Sequence, residues 1–87
     1  MIKYYRPDWS TVNIHYNAGN GWTSVPSVAM SNIGGGWWQR TISVVSNYYR
    51  FCFNNGSGTW DNNGGNDYVV STTYTNIAVS NGIIIYY

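Results

Sequence analysis

Three short stretches of this 87-residue chain carry the side chains that could do chemistry. His15, the only histidine, stands in Val12-Asn13-Ile14-His15-Tyr16-Asn17. Trp22 follows the turn residues Asn17-Ala18-Gly19-Asn20-Gly21, and Trp60 opens Trp60-Asp61-Asn62-Asn63 after Asn54-Asn55-Gly56-Ser57-Gly58-Thr59. An imidazole and two flat indoles among short amides suit a sugar ring. The indole covers the apolar C–H face of a pyranose, while imidazole and amide groups supply donors and acceptors to its hydroxyl rim. A tryptophan beside Gly and Asn has little apolar sequence around it to be buried by, and an exposed indole is costly to solubility unless it binds something.

Other chemistries fit less well. The acids are Asp8, Asp61 and Asp67, with no glutamate. A glycosidase needs two carboxylates across the scissile bond, one with a raised pKa. Asp61 and Asp67 lie in a Gly/Asn segment expected to be solvated, where short acids stabilise turns. No serine is marked as a nucleophile for His15 to activate. The segment 61–67 alternates oxygen side chains as cation loops do. However, Gly65 and Thr72 stand where an EF-hand needs ligands, so a plain loop is expected. Cys52 is the only cysteine, which excludes an internal disulfide and a Cys/His zinc cluster. No cofactor is expected.

Composition narrows the field further. Only 8% of residues are charged, and Lys3, Arg6, Arg40 and Arg50 are scattered, so there is no footprint for nucleic acid. No apolar run is long enough to span a membrane, and Met1-Ile2-Lys3-Tyr4-Tyr5 runs into strand-like sequence with no visible signal peptide. Five Trp and nine Tyr against two Phe and no Leu are more than a core alone would draw on. Some of these rings are expected to face solvent. The same Tyr/Trp/Asn-rich composition also suits a protein-recognition surface of the kind antibody paratopes use, and charge does not separate the two.

The elements that must position these residues read as strands. Val12, Ile14 and Tyr16 share one parity and are expected to face a core, which turns His15 outward between Asn13 and Asn17. Strands are also expected over 2–5, 48–53, 68–70, 74–79 and 83–87, with the last two joined by Ser80-Asn81-Gly82. Residues 22–28 should be extended, with Pro26 marking an edge or a bulge. Residues 31–36 read as a loop with Gly34-Gly35-Gly36 its most flexible point. Alternation over 37–44 puts Trp38 in the core and Trp37 outward. Phe51 and Phe53 point one way, Arg50 and Cys52 the other. Asn55-Gly56 suggests a primed hairpin turn. No segment has a 3.6-residue apolar period. The expected fold is therefore all-β: one domain, residues 1–87, an antiparallel β-sandwich of immunoglobulin type.

The strings Trp9-Ser10-Thr11-Val12-Asn13-Ile14-His15-Tyr16-Asn17, Gly21-Trp22-Thr23, Val25-Pro26, Gly36-Trp37-Trp38 and Phe53 to Asn63 closely resemble the family-25 carbohydrate-binding modules, and Tyr74-Thr75 with Asn81-Gly82-Ile83 also fits. The resemblance implies a non-catalytic, starch-binding β-sandwich attached to a secreted bacterial amylase. It implies starch or maltooligosaccharide as ligand, the parent glycoside hydrolase in the same chain as partner, and an extracellular module; a monomer is expected. Its α-glucan platform of one histidine and two tryptophans maps onto His15, Trp22 and Trp60, with Asp61, Asn62 and Asn63 as the polar residues after the second tryptophan. The two indoles are expected to be inclined, following a curved α-1,4 chain, and His15 to titrate near its usual value of about 6.5.

Overall fold

A computed structural model describes residues 1–25 and 27–87. The expectation placed on Pro26 lies outside the described residues. The strands are β1 (Ile2–Tyr5), β2 (Asn13–Asn17), β3 (Val28–Ala29), β4 (Ser31–Gly34), β5 (Trp37–Arg40), β6 (Tyr48–Asn54), β7 (Trp60–Asp61), β8 (Tyr68–Ser71), β9 (Ile77–Ser80) and β10 (Ile83–Tyr86). They form two sheets. The first runs β10-β9-β1-β5-β4; the second runs β3-β2-β6-β7, with β8 also paired to β6. β6 is the long central strand. It lies against β2 along one edge and divides its other edge between β7 and β8.

The two inner faces make the core. Ile2, Tyr4, Trp38, Ile77 and Val79 come from the first sheet, and Ile14, Tyr49, Phe51, Phe53, Tyr68 and Val70 from the second, with Val12 entering just before β2. The Tyr4 and Phe53 rings stack across the interface at 3.7 Å between centroids and 4° between planes. Trp38 is buried as its parity requires, and its Nε1 donates to the Arg6 carbonyl at 3.2 Å. Trp37, one residue away, faces outward against Tyr5. Burial in β1 and β8 alternates strictly, the mark of a strand covered on one face.

The closing β9–β10 hairpin forms as expected, although its first strand begins at Ile77 rather than at Tyr74. Asn81 and Gly82 take φ of 52° and 78° between the paired Ser80 and Ile83, the backbone that a two-residue primed turn requires.

Four expectations need correction. Residues 31–34 are a strand rather than a loop. β4 is an edge exposed on both faces, so no alternation marks it, and a register shift between Asn32 and Gly34 interrupts its pairing. The β6–β7 connection is longer than a primed turn, because Asn54 already pairs with Trp60. Asn54 Oδ1 accepts from the Gly56 amide, and Asn55 Oδ1 accepts from those of Ser57 and Thr59, so side chains replace the missing turn bonds. The sandwich is not wholly antiparallel: β1 pairs with β9 in parallel. These strands are distant in sequence, so no hairpin signal announces the pairing. The segment 37–44 is a strand only over Trp37–Arg40, although Ile42 and Val44 still pack on the core.

Candidate functional site

The site is built on the outward face of the second sheet. On β2 the inward residue Ile14 is fully buried, while His15 projects the other way. On β6 the outward residues are Arg50, Cys52 and Asn54, and His15 lies directly opposite Cys52. Asn13 shares this parity but is buried, its Nδ2 donating to Asn54 Oδ1 across the strands at 3.0 Å. It belongs to the floor of the site rather than to its exposed surface. Tyr16 is only half-buried at the rim of the core.

Trp22 reaches His15 because a loop folds back on β2. Asn17 Oδ1 accepts from the amides of Gly19 and Gly21 at 3.0 and 3.2 Å, which reverses the chain. Trp22 then bridges Asn17, and the Thr23 amide donates to the Tyr16 carbonyl at 3.0 Å. The Trp22 and His15 rings stack with centroids 4.9 Å apart and planes 23° apart.

Trp60 arrives from the other side. It pairs with Asn54 and so shares the outward face of β6. Its ring meets His15 edge-on, at 5.6 Å and 76°. His15 is thus nearly parallel to one indole and nearly perpendicular to the other. The indoles are steeply inclined to each other, as expected, and both are partly open to solvent, at 42% for Trp22 and 39% for Trp60.

Strand alternation sends the next residue inward. Asp61 pairs with the buried Phe53, and its carboxylate points into the sandwich. Tyr4 Oη donates to Asp61 Oδ2 at 2.6 Å, Tyr68 Oη lies 2.9 and 3.0 Å from its two oxygens, and an Arg6 guanidinium nitrogen stands 3.7 Å away. The expectations of a solvated Asp61 and of its carboxylate on the ring face are therefore corrected. The reason is the period of two along a strand. Asn62 and Asn63 are exposed, but they also shape their own turn. Asn62 Oδ1 accepts from the Gly65 amide, and Asn63 Nδ2 donates to the Asp67 carbonyl.

His15 is held by its inner nitrogen. Nδ1 lies 2.8 Å from Thr23 Oγ1 and 3.1 Å from Ser27 Oγ, while Thr23 Oγ1 also accepts from the Tyr16 amide. Among the described residues, Nε2 makes no hydrogen bond. Burial holds the imidazole pKa below its usual range, against the opposing pull of Asp67, which corrects the expectation of ordinary titration. Burial, with Asp67 and Asp61 adding, pushes the Cys52 thiol up to about 11, so it is a protonated floor group rather than a nucleophile. Thr23 and Ser27 are partners that sequence reading missed. Their only signal was two hydroxyls shortly after Trp22, and nothing linked them to His15 before the loop closed.

The family model described as carbohydrate binding domain (family 25) matches residues 3–84. The chain belongs to this family, and it is a carbohydrate-binding module rather than a catalyst. It is 45% identical over 81 residues to an alpha-amylase of Niallia circulans and 40% identical over 65 residues to one of Clostridium acetobutylicum. These matches cover 86% and 72% of this chain but only 6% and 8% of those enzymes, so the chain spans less than a tenth of either. The family-25 module of a Bacillus halodurans amylase, solved in complex with maltotetraose, is 35% identical. It superposes with a TM-score of 0.85 over 98% of this chain and 91% of that one.

Proposed function

We propose that residues 1–87 act as one module that binds α-1,4-glucan, starch or maltooligosaccharide, and holds an attached secreted amylase on its substrate. The observation that carries this reading is the pair of steeply inclined indoles on either side of His15. A flat cellulose-like ribbon is matched by coplanar rings, whereas a curved α-1,4 chain is matched by inclined ones. Trp22 and Trp60 cover successive pyranose faces, and His15 Nε2 meets a hydroxyl between them. Asn62 and Asn63 extend the polar rim, and Asp61 braces the strand that carries Trp60. The Bacillus halodurans module's complex with maltotetraose supports the same ligand class here. The module acts as a monomer on polysaccharide, without nucleic-acid or membrane partners.

Calorimetric titration with maltotetraose and with cellotetraose tests the reading. Saturable binding of the first with none of the second is expected, at an affinity of about −4 to −8 kcal/mol. Equal binding of both, or of neither, sinks it.

The lowered pKa of His15 sets a pH dependence. A bound glucan covers the ring further and disfavours the cation more strongly than in the free module. The complex then binds fewer protons than the free module, so affinity falls as pH drops through the free pKa. The expected profile is flat from neutral pH up to about 8, with weakening confined to below about 6.5. His15→Gln should flatten it. Affinity that rises on acidification would remove His15 from the contact.

A further inference from the structure

The outward face of the second sheet continues past the three rings. Asn17, which bridges Trp22 on one side, pairs on the other with Arg50 of β6. Beyond them opens a groove of about 220 Å³ lined by Asn17, Gly19, Ser46, Tyr48 and Arg50, a space on the scale of a single sugar ring. Alternate residues on a strand are about 6.6–6.8 Å apart, so Tyr48 lies about 13 Å along β6 from Cys52, the residue opposite His15. That distance is covered by a few glucose units.

The groove is furnished as a sugar site. Tyr48 is 52% exposed and offers an aromatic face to solvent. Arg50 is exposed, and among the described residues its guanidinium makes neither an ion pair nor a hydrogen bond, so its donors are unspent. Asn17 uses Oδ1 on the Gly19 and Gly21 amides, which leaves its amino group to donate. The far wall is preformed. The Val45 amide donates to the Ala18 carbonyl at 2.9 Å and draws the Gly19 loop against Ser46. A Cβ on Gly19 would stand 2.7 Å from Ser46 Cβ at a φ of +109°, so this approach needs glycine. The same loop delivers Trp22, which couples the groove physically to the platform.

We propose that this groove is an additional glucan subsite, engaged only by chains long enough to run past Trp22. Tyr48 stacks on the added pyranose, and Arg50 and Asn17 donate to its hydroxyls. The proposal rests on the α-glucan reading of the three-ring platform.

A chain-length series tests it. Maltotriose and maltohexaose are titrated into the wild-type chain, Tyr48→Thr and Arg50→Gln, with melting temperatures recorded alongside. Each variant should lose about fivefold to tenfold in affinity for maltohexaose while keeping its maltotriose affinity. In the wild type, the amide resonances of Gly19 and Ser46 should shift with maltohexaose and stay still with maltotriose. The subsite is overturned if both variants bind maltohexaose as the wild type does, or lose affinity equally for both lengths. A wild-type chain that binds neither sugar overturns the glucan reading itself.

Discussion

Trp22→Ala and Trp60→Ala are each expected to weaken maltotetraose binding by at least about thirtyfold while the domain stays folded. On the proposed platform each indole is an anchor at the centre of the contact, and such anchors cost about 2 kcal/mol or more on truncation. Trp22 stacks on His15 and Trp60 meets it edge-on, so losing either ring also removes one side of the imidazole's packing. Neither indole belongs to the core cluster. A surface ring of this kind contributes little to stability, and the melting temperature should move by only a few degrees. Trp38→Ala is the control. Its ring is buried in the sandwich, and its removal should cost about 3–5 kcal/mol of stability. Binding and melting temperature scored together decide the matter. Should Trp22→Ala and Trp60→Ala unfold the domain while Trp9→Ala or Trp37→Ala selectively abolishes binding, the site has been placed on the wrong tryptophans.

Asp61→Ala should destabilise the domain by about 3 kcal/mol, because two phenol donors lose their acceptor at about 1–3 kcal/mol each. The carboxylate accepts from the buried phenols of Tyr4 and Tyr68 and faces Arg6. Burial, followed by the hydrogen bond to Asp61, raises both phenol pKa values far above the usual tyrosine range, so both remain donors. With Asp61 gone, two buried hydroxyls lose their acceptor, while Arg6 keeps its closer ion pair with Asp8 at 3.2 Å. For a domain of this size the melting temperature should fall by about 12 °C or more. Adding Tyr4→Phe and Tyr68→Phe to Asp61→Ala should recover part of the loss, because apolar rings leave nothing unpaired. A variant that melts like the wild type yet no longer binds maltotetraose would return Asp61 to the sugar contact.

Much of the platform was legible before folding. The period of two over Val12–Tyr16 assigned His15 to the outer face, and the same period put Trp38 inside and Trp37 outside. Glycine and asparagine before Trp22 and Trp60 marked both indoles as loop-delivered and exposed, and Asn81-Gly82 marked the closing hairpin. These are local properties: parity and turn chemistry depend on a residue and its near neighbours, and tertiary packing respected them.

Tertiary structure decided what depends on partners distant in sequence. Whether Asp61 faces sugar or core turned on the register that pairs it with Phe53, and nothing within the polar run Asp61-Asn62-Asn63 declares that register. The lowered pKa of His15 comes from burial, and the groups against its ring are Trp22, Thr23, Ser27 and Trp60, brought there only by the folded loops. The parallel β1–β9 pair joins the two ends of the chain, and β4 is an edge strand that gains its partner only once β5 is in place. Alternation tells a residue which of two faces it takes. Only the pairing of strands tells it which face is core, which is floor, and which is left for a ligand.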